Sequence, residues 1–169
     1  MTAPARVLVA GIGNVFFGDD GFGSEVAQRL AQAPPAGAKV EDFGIRGLHL
    51  AYELLNGYDH AILVDAVPRG EQPGTIYVIE PERDVAASTP DAHRMDLQNV
   101  FGYLRVLGGE PPPMTIVGCE PETTEPGMGL SAPVAQSVDA AAAVVRRLVG
   151  EQLARMAREA NGGVAWSNR

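Results

Sequence analysis

Arg6-Val7-Leu8-Val9-Ala10-Gly11-Ile12-Gly13 is a β-branched, apolar run that ends in glycine. It has no polar face, so it predicts a strand covered on both sides, as in a parallel sheet. Residues 19–33 follow a short loop and set Phe22, Val26, Ala27 and Leu30 at helical spacing. Asp19 and Asp20 fall in the cap or first turn of that helix, where unsatisfied N–H groups and the dipole favour a negative charge. Pro34-Pro35 ends it. A buried strand followed directly by an amphipathic helix is the building unit of an α/β fold.

The pattern recurs outward from this unit. Residues 39–43 predict a second strand, weakened by Glu41 and Asp42; Leu48, Tyr52, Leu54 and Leu55 predict a helix closed by Asn56-Gly57. His60-Ala61-Ile62-Leu63-Val64-Asp65 is the clearest strand, an apolar run stopped abruptly by a carboxylate. Residues 74–79 follow across a connection too short for a helical crossover, which predicts a strand that is antiparallel to one neighbour or at an edge. Met95, Leu97, Val100, Leu104 and Leu107 mark a helix opened by His93, and residues 114–118 form the last strand. Ser131 and Pro133 start a final helix that continues through Met156 to Ala160. The expectation is a three-layer α/β/α sandwich around a mostly parallel sheet of about five strands. Residues 1–160 are expected to form one domain and residues 161–169 a disordered tail.

Composition narrows the classes of function. The 169 residues are 46% apolar and 20% charged, enough apolar material for a core, with a net charge of −8. A chain that acidic is a poor candidate for a grip on nucleic acid or an anionic membrane through phosphate contacts. One cysteine, Cys119, excludes an internal disulfide framework and a four-thiolate zinc site. No uninterrupted apolar stretch approaches the ~18 residues of a membrane span. With no basic region and apolar block at the start of the chain, the expected location is the cytoplasm; a monomer is the expected state.

Ligands of open α/β sheets gather at the carboxyl ends of the strands. Three groups fall at such places: Asp20 after the first strand, Asp65 ending the third, and His93 before the last. Two carboxylates and an imidazole suit a divalent metal with an open coordination position. Each also has a structural reading, as a helix cap, a strand-end turn residue and a surface histidine. Gly11-Ile12-Gly13 invites a dinucleotide reading, but position 16 is Phe16 where that fingerprint needs a third glycine. Cys119 reads as a buried structural thiol, His49 as a helix-surface residue and His60 as a strand-entry residue. Neither a Gly-x-Ser-x-Gly elbow nor a Gly-Lys-Ser/Thr phosphate loop occurs.

Taken in order, Gly11-Ile12-Gly13-Asn14 with Asp19-Asp20-Gly21-x-Gly23, Asp42-Phe43-Gly44-x-x-Gly47 and Leu63-Val64-Asp65-Ala66 resemble the nickel–iron hydrogenase maturation endopeptidases. His93 opening a helix, Gly118-x-x-Pro121 and Gly129-Leu130-Ser131 extend the resemblance over residues 6–150. It implies an endopeptidase that removes the C-terminal peptide of a hydrogenase large-subunit precursor after nickel insertion. It also implies that Asp20, Asp65 and His93 recognise nickel in that precursor and take part in catalysis, with no division between acid and base. Many relatives carry Glu where this chain has Asp20, and Phe43 stands where the family has glycine. Asn14, Asp42 and Gly44 become candidates for the substrate loops. The competing readings are a small-molecule (nucleotide) binding module and a non-catalytic hydrogenase maturation chaperone.

Overall fold

The structure, a computed structural model, describes residues 5–81 and 92–164, with side chains placed for 5–81 and 97–162. Strands β1 (Val7–Ile12), β2 (Ala38–Gly44), β3 (His60–Ala66), β4 (Ile76–Ile79) and β5 (Met114–Cys119) form one sheet in the order β2-β1-β3-β5-β4. Four of them are parallel, and β4 pairs antiparallel with β5 at the edge. This is the α/β architecture the sequence predicts, down to the antiparallel edge strand.

Helices α1 (Phe22–Ala31) and α4 (Ala132–Val164) cover one face; α2 (Gly47–Leu54) and α3 (Ala92–Val106) cover the other. The two-residue period of a strand distributes the side chains between them. Val7 and Val9 of β1, with Ile62 and Val64 of β3, pack among Val26, Leu30, Val138 and Val145. Leu8, Ala10, Ala61 and Leu63 pack on the other side among Leu50, Leu54, Val100 and Leu104. Because both faces are covered, β3 is buried along its whole length, Asp65 included.

Two boundaries differ from the sequence reading. Asp19 and Asp20 lie in a separate single 3-10 turn, Gly18–Gly21, and α1 begins only at Phe22. Helix α4 runs to Val164, so residues 161–164, expected in a disordered tail, are helical. Arg147–Glu151 and Arg155–Glu159 pairs one turn apart and the burial of Met156 support that extension. Residues 165–169 lie outside the described residues.

The order of the sheet creates a switch point. The chain leaves β1 for β2 on one side, then returns to place β3 on the other side of β1. The helices leaving β1 and β2 therefore diverge onto opposite faces, and a crevice opens between the carboxyl ends of β1 and β3. At its base α1 comes unusually close to the sheet. A Cβ on Gly23 would overlap the carbonyl oxygens of both Val64 and Ile12.

Gly23→Ala must push α1 off the two strands, and we expect a loss of about 3 kcal/mol, the upper range for overpacking a tight contact. Gly102, inside α3, has nothing within 4 Å of a built Cβ. Gly102→Ala is expected to stabilise by about 0.8 kcal/mol through helix propensity alone. Denaturant midpoints followed by circular dichroism test both, and equal responses at the two positions would refute the close-contact argument.

Candidate active site

Gly13, the residue after β1, stands between the two acidic candidates. A Cβ there would overlap the carbonyl oxygen of Asp20 and lie 3.5 Å from Asp65 Oδ1, and its φ of +133° is one that side chains rarely adopt. Only glycine lets the chain pass between these residues. Asp65 Oδ1 also accepts the backbone N–H of Ala66 at 2.8 Å, and Asp20 Oδ2 accepts that of Asn14 at 2.8 Å. Each carboxylate is thus held by the backbone, Asp65 at the end of β3 and Asp20 in the turn after β1. Both line one cleft of about 370 Å³.

The cleft opens on the α2/α3 side of the sheet. Phe43 and Leu50 are buried along its wall, Gly44 ends β2 and Arg46 follows it, and Leu97, Asn99, Val100 and Tyr103 come from α3. Asp65 follows Ala61 and Leu63 in the period-two register and shares their face. His93 lies in the first turn of α3, four residues before the cleft residue Leu97. Its side chain lies outside the described residues. Asp20 and Asp65 are thus brought to one cleft, beside the helix that carries His93.

The substrate-loop candidates separate. Gly44 lines the cleft, with a φ of +56°. Asp42 turns to the opposite face, as its place one residue before Phe43 requires. It accepts the hydroxyl of Ser24 at 2.7 Å and the N–H of Gly44 at 3.0 Å, so it anchors the loop after β2 to α1. Asn14 shapes its own loop: its Oδ1 accepts the N–H of Phe16 at 2.9 Å. Phe43, at the position where the resemblance implies glycine, is only 1% exposed and its ring meets that of His49 at a tilt, with centroids 5.5 Å apart. Its side chain is part of the hydrophobic wall of the cleft.

Asp19 does not share the cleft. Its fully buried carboxylate accepts the N–H groups of Glu122, Thr123 and Ser131 and the Ser131 hydroxyl, at 2.7–3.1 Å. Burial alone would raise its pKa, but these donors outweigh it and hold the carboxyl below its ordinary value. The clasp ties the turn after β1 to residues 120–131, which also meet it through a parallel bridge between Phe17 and Gly127. Glu120, not singled out from sequence, does the same for the neighbouring loop. It accepts the N–H groups of Arg69 and Gly70 and the Tyr77 hydroxyl at 2.7–3.0 Å, and although burial opposes it, these bonds lower its pKa. The available signal was a charge immediately after an apolar strand.

The remaining titratable candidates are structural. Cys119 is buried, and that burial, reinforced by the charge of Asp19, pushes its thiol up to about 11. A thiol so shifted is not a thiolate at neutral pH. His60 is buried against the Thr115 hydroxyl at 2.8 Å, and His49 is an exposed partner of Glu41 at 3.1 Å.

The hydrogenase maturation protease profile matches residues 24–148, most of this chain. The chain belongs to the hydrogenase maturation protease family. It is 37% identical over 152 residues to the hydrogenase expression/formation protein HupD of Rhodobacter capsulatus, covering 86% of this chain and 72% of that protein. Its fold superposes on the hydrogenase maturating endopeptidase HybD of Escherichia coli with a TM-score of 0.75 at 30% identity, covering 87% and 93% of the two chains. The nickel–iron hydrogenase maturation protease HybD of Thermococcus kodakarensis gives 0.71 at 25% identity, covering 85% and 99%. This member of the maturation protease family is therefore a peptidase, and its two cleft carboxylates lie where an α/β enzyme holds its ligands.

Replacing Asp19 by Asn removes the charge that answers three backbone N–H groups, and we expect a loss of about 2–3 kcal/mol at pH 7. A carboxyl with a depressed folded pKa stabilises above the unfolded value and loses that contribution as pH falls through the folded value. The gap between wild type and Asp19→Asn is therefore expected to close below the ordinary 3.8 of this carboxyl. Urea unfolding at pH 7, 5 and 3 measures it. A gap that widens on acidification would contradict the clasp.

Proposed function

We propose that this protease removes the C-terminal peptide of a nickel–iron hydrogenase large-subunit precursor, in the cytoplasm, once nickel has been inserted. Asp20, Asp65 and His93 meet the nickel that the precursor carries. The observation behind this reading is the convergence of Asp20 and Asp65 on one cleft at the switch point, with α3 as its flank. Carboxylate oxygens and an imidazole suit a borderline divalent ion that still has open coordination positions.

The metal belongs to the substrate, so recognition and timing are the same event. A precursor without nickel offers the carboxylates no cation, and two neighbouring acids repel an ordinary peptide backbone carbonyl. A loaded precursor brings the charge that draws its own scissile bond into the cleft. Asp20 and Asp65, fixed by backbone N–H groups, then stand ready to orient the attacking water and accept its proton. The apolar wall formed by Phe43 and Leu50 keeps other water out and strengthens these charge interactions.

Mass spectrometry of nickel-loaded and nickel-free precursor after incubation with the protease tests the reading. Shortening of the loaded form alone is expected, and an unshortened loaded precursor would support the chaperone. Asp65→Asn and His93→Ala are each expected to slow processing by at least ~100-fold, the range for loss of a general base or positioning ligand. Their thermal midpoints should stay within a few degrees of wild type. Asp20→Glu is expected to retain more activity than Asp20→Asn, since an oxygen anion matters more at this position than one methylene. Cys119→Ser should process at a near-normal rate.

A further inference from the structure

Arg46 has an unusual position in this molecule. It is the single cationic side chain among the described residues lining the cleft, which it shares with Asp20 and Asp65. The other cleft residues are apolar, small or neutral. Four other described arginines, Arg6, Arg29, Arg147 and Arg155, pair with a carboxylate, whereas none of those four lines the cleft. No such ion pair is made by Arg46 among the described residues.

Its guanidinium is nevertheless fixed. Nε donates to the carbonyl of Phe43 at 3.2 Å and Nη2 donates to the carbonyl of Asp42 at 2.5 Å. Those two bonds use the side edge of the planar group, the one formed by Nε and the near hydrogen of Nη2. The outer edge, with one hydrogen each on Nη1 and Nη2, has no protein acceptor among the described residues. That edge is a two-pronged donor matched to the two oxygens of a carboxylate. The guanidinium is anchored by backbone carbonyls, so little side-chain freedom remains to be lost when an acceptor arrives.

We propose that Arg46 is a specificity-determining residue that receives a carboxylate of the processed chain on this outer edge and so sets the register of the tail in the cleft. The inference rests on the protease reading above and adds the chemical class that the tail must present. A protein of net charge −8 repels an acidic tail in general. One anchored arginine beside two carboxylates therefore supplies direction: the anionic group goes to the loop after β2, and the metal-bearing end goes to Asp20 and Asp65. The carboxylate has two sources, an acidic side chain of the tail or the terminal carboxylate of the precursor.

The test compares wild type, Arg46→Lys and Arg46→Gln on nickel-loaded precursor, with initial rates read by mass spectrometry across precursor concentrations. Arg46→Gln is expected to raise KM at least tenfold with kcat changed less than threefold. Arg46→Lys, which keeps the charge but loses the fork, is expected to recover only part of the loss. Two altered precursors separate the sources: one with the acidic residues of the tail changed to their amides, one with the tail lengthened by Gly-Ser to displace its terminus. One of the two is expected to raise the wild-type KM as Arg46→Gln does, and to leave the Arg46→Gln KM unmoved. An unchanged KM in Arg46→Gln, or full sensitivity of that variant to both altered precursors, would overturn the assignment of Arg46. Failure of wild type to cut any precursor would instead overturn the protease reading. Circular dichroism and the thermal midpoint of each variant confirm that the compared proteins are folded.

Discussion

Helix α1 touches the sheet at Gly23, where backbone meets the carbonyl oxygens of Val64 and Ile12 with no side chain between. Everything at the carboxyl edge follows from that contact. It draws the start of α1 against both β1 and β3, so the turn carrying Asp20 cannot drift from the strand end carrying Asp65. Gly13 completes the arrangement by threading between the Asp20 carbonyl and the Asp65 carboxylate. Any side chain at either glycine pries the acids apart before it affects a hydrophobic contact. The price of this closeness is a backbone with no freedom to relax, which explains why its neighbours are so heavily hydrogen-bonded.

Two buried carboxylates supply that bonding without entering the cleft. Asp19 and Glu120 each gather several donors from loops that have no secondary structure of their own. A carboxylate with two oxygens can satisfy three or four orphan N–H groups at once, which no neutral side chain matches. Burial of an unpaired charge would be prohibitive, and here the donors more than offset it. The adjacent residues Asp19 and Asp20 thus divide the work: the first fastens the scaffold, the second faces the cleft. Cys119, next to Glu120 in the chain, lies buried at the same edge, where it packs in the core and its thiol donates to the Glu120 carbonyl at 3.7 Å.

The cleft is electrostatically asymmetric. Two carboxylates lie at the strand ends and one arginine on the loop after β2, with an aromatic and aliphatic wall between them. A ligand with a cation at one end and an anion near the other satisfies both, and is held in one orientation. Phe43 contributes to this directly. It removes the backbone freedom a glycine would allow and lends its carbonyl to the Arg46 guanidinium.

Local pattern carried the order of strands and helices, the antiparallel edge strand and the burial of β3, because apolar period and turn residues act over a few positions. It also marked Asp65, since a carboxylate ending a buried run is conspicuous in one dimension, and Asp20, since an acid in the turn after a buried strand faces the same edge of the sheet. It could not tell Asp19 from Asp20, because which of two neighbouring acids meets residues 120–131 depends on a loop more than one hundred positions away. Nor could it send Asp42 to α1 and Phe43 to the cleft, a choice made by the sheet's facing once helices cover both sides. The chain alone determined which segments become strands and helices and that acids end them. Tertiary structure decided which of those acids share a cleft and that Arg46 joins them, because proximity there is set by crossovers and packing between segments remote in sequence.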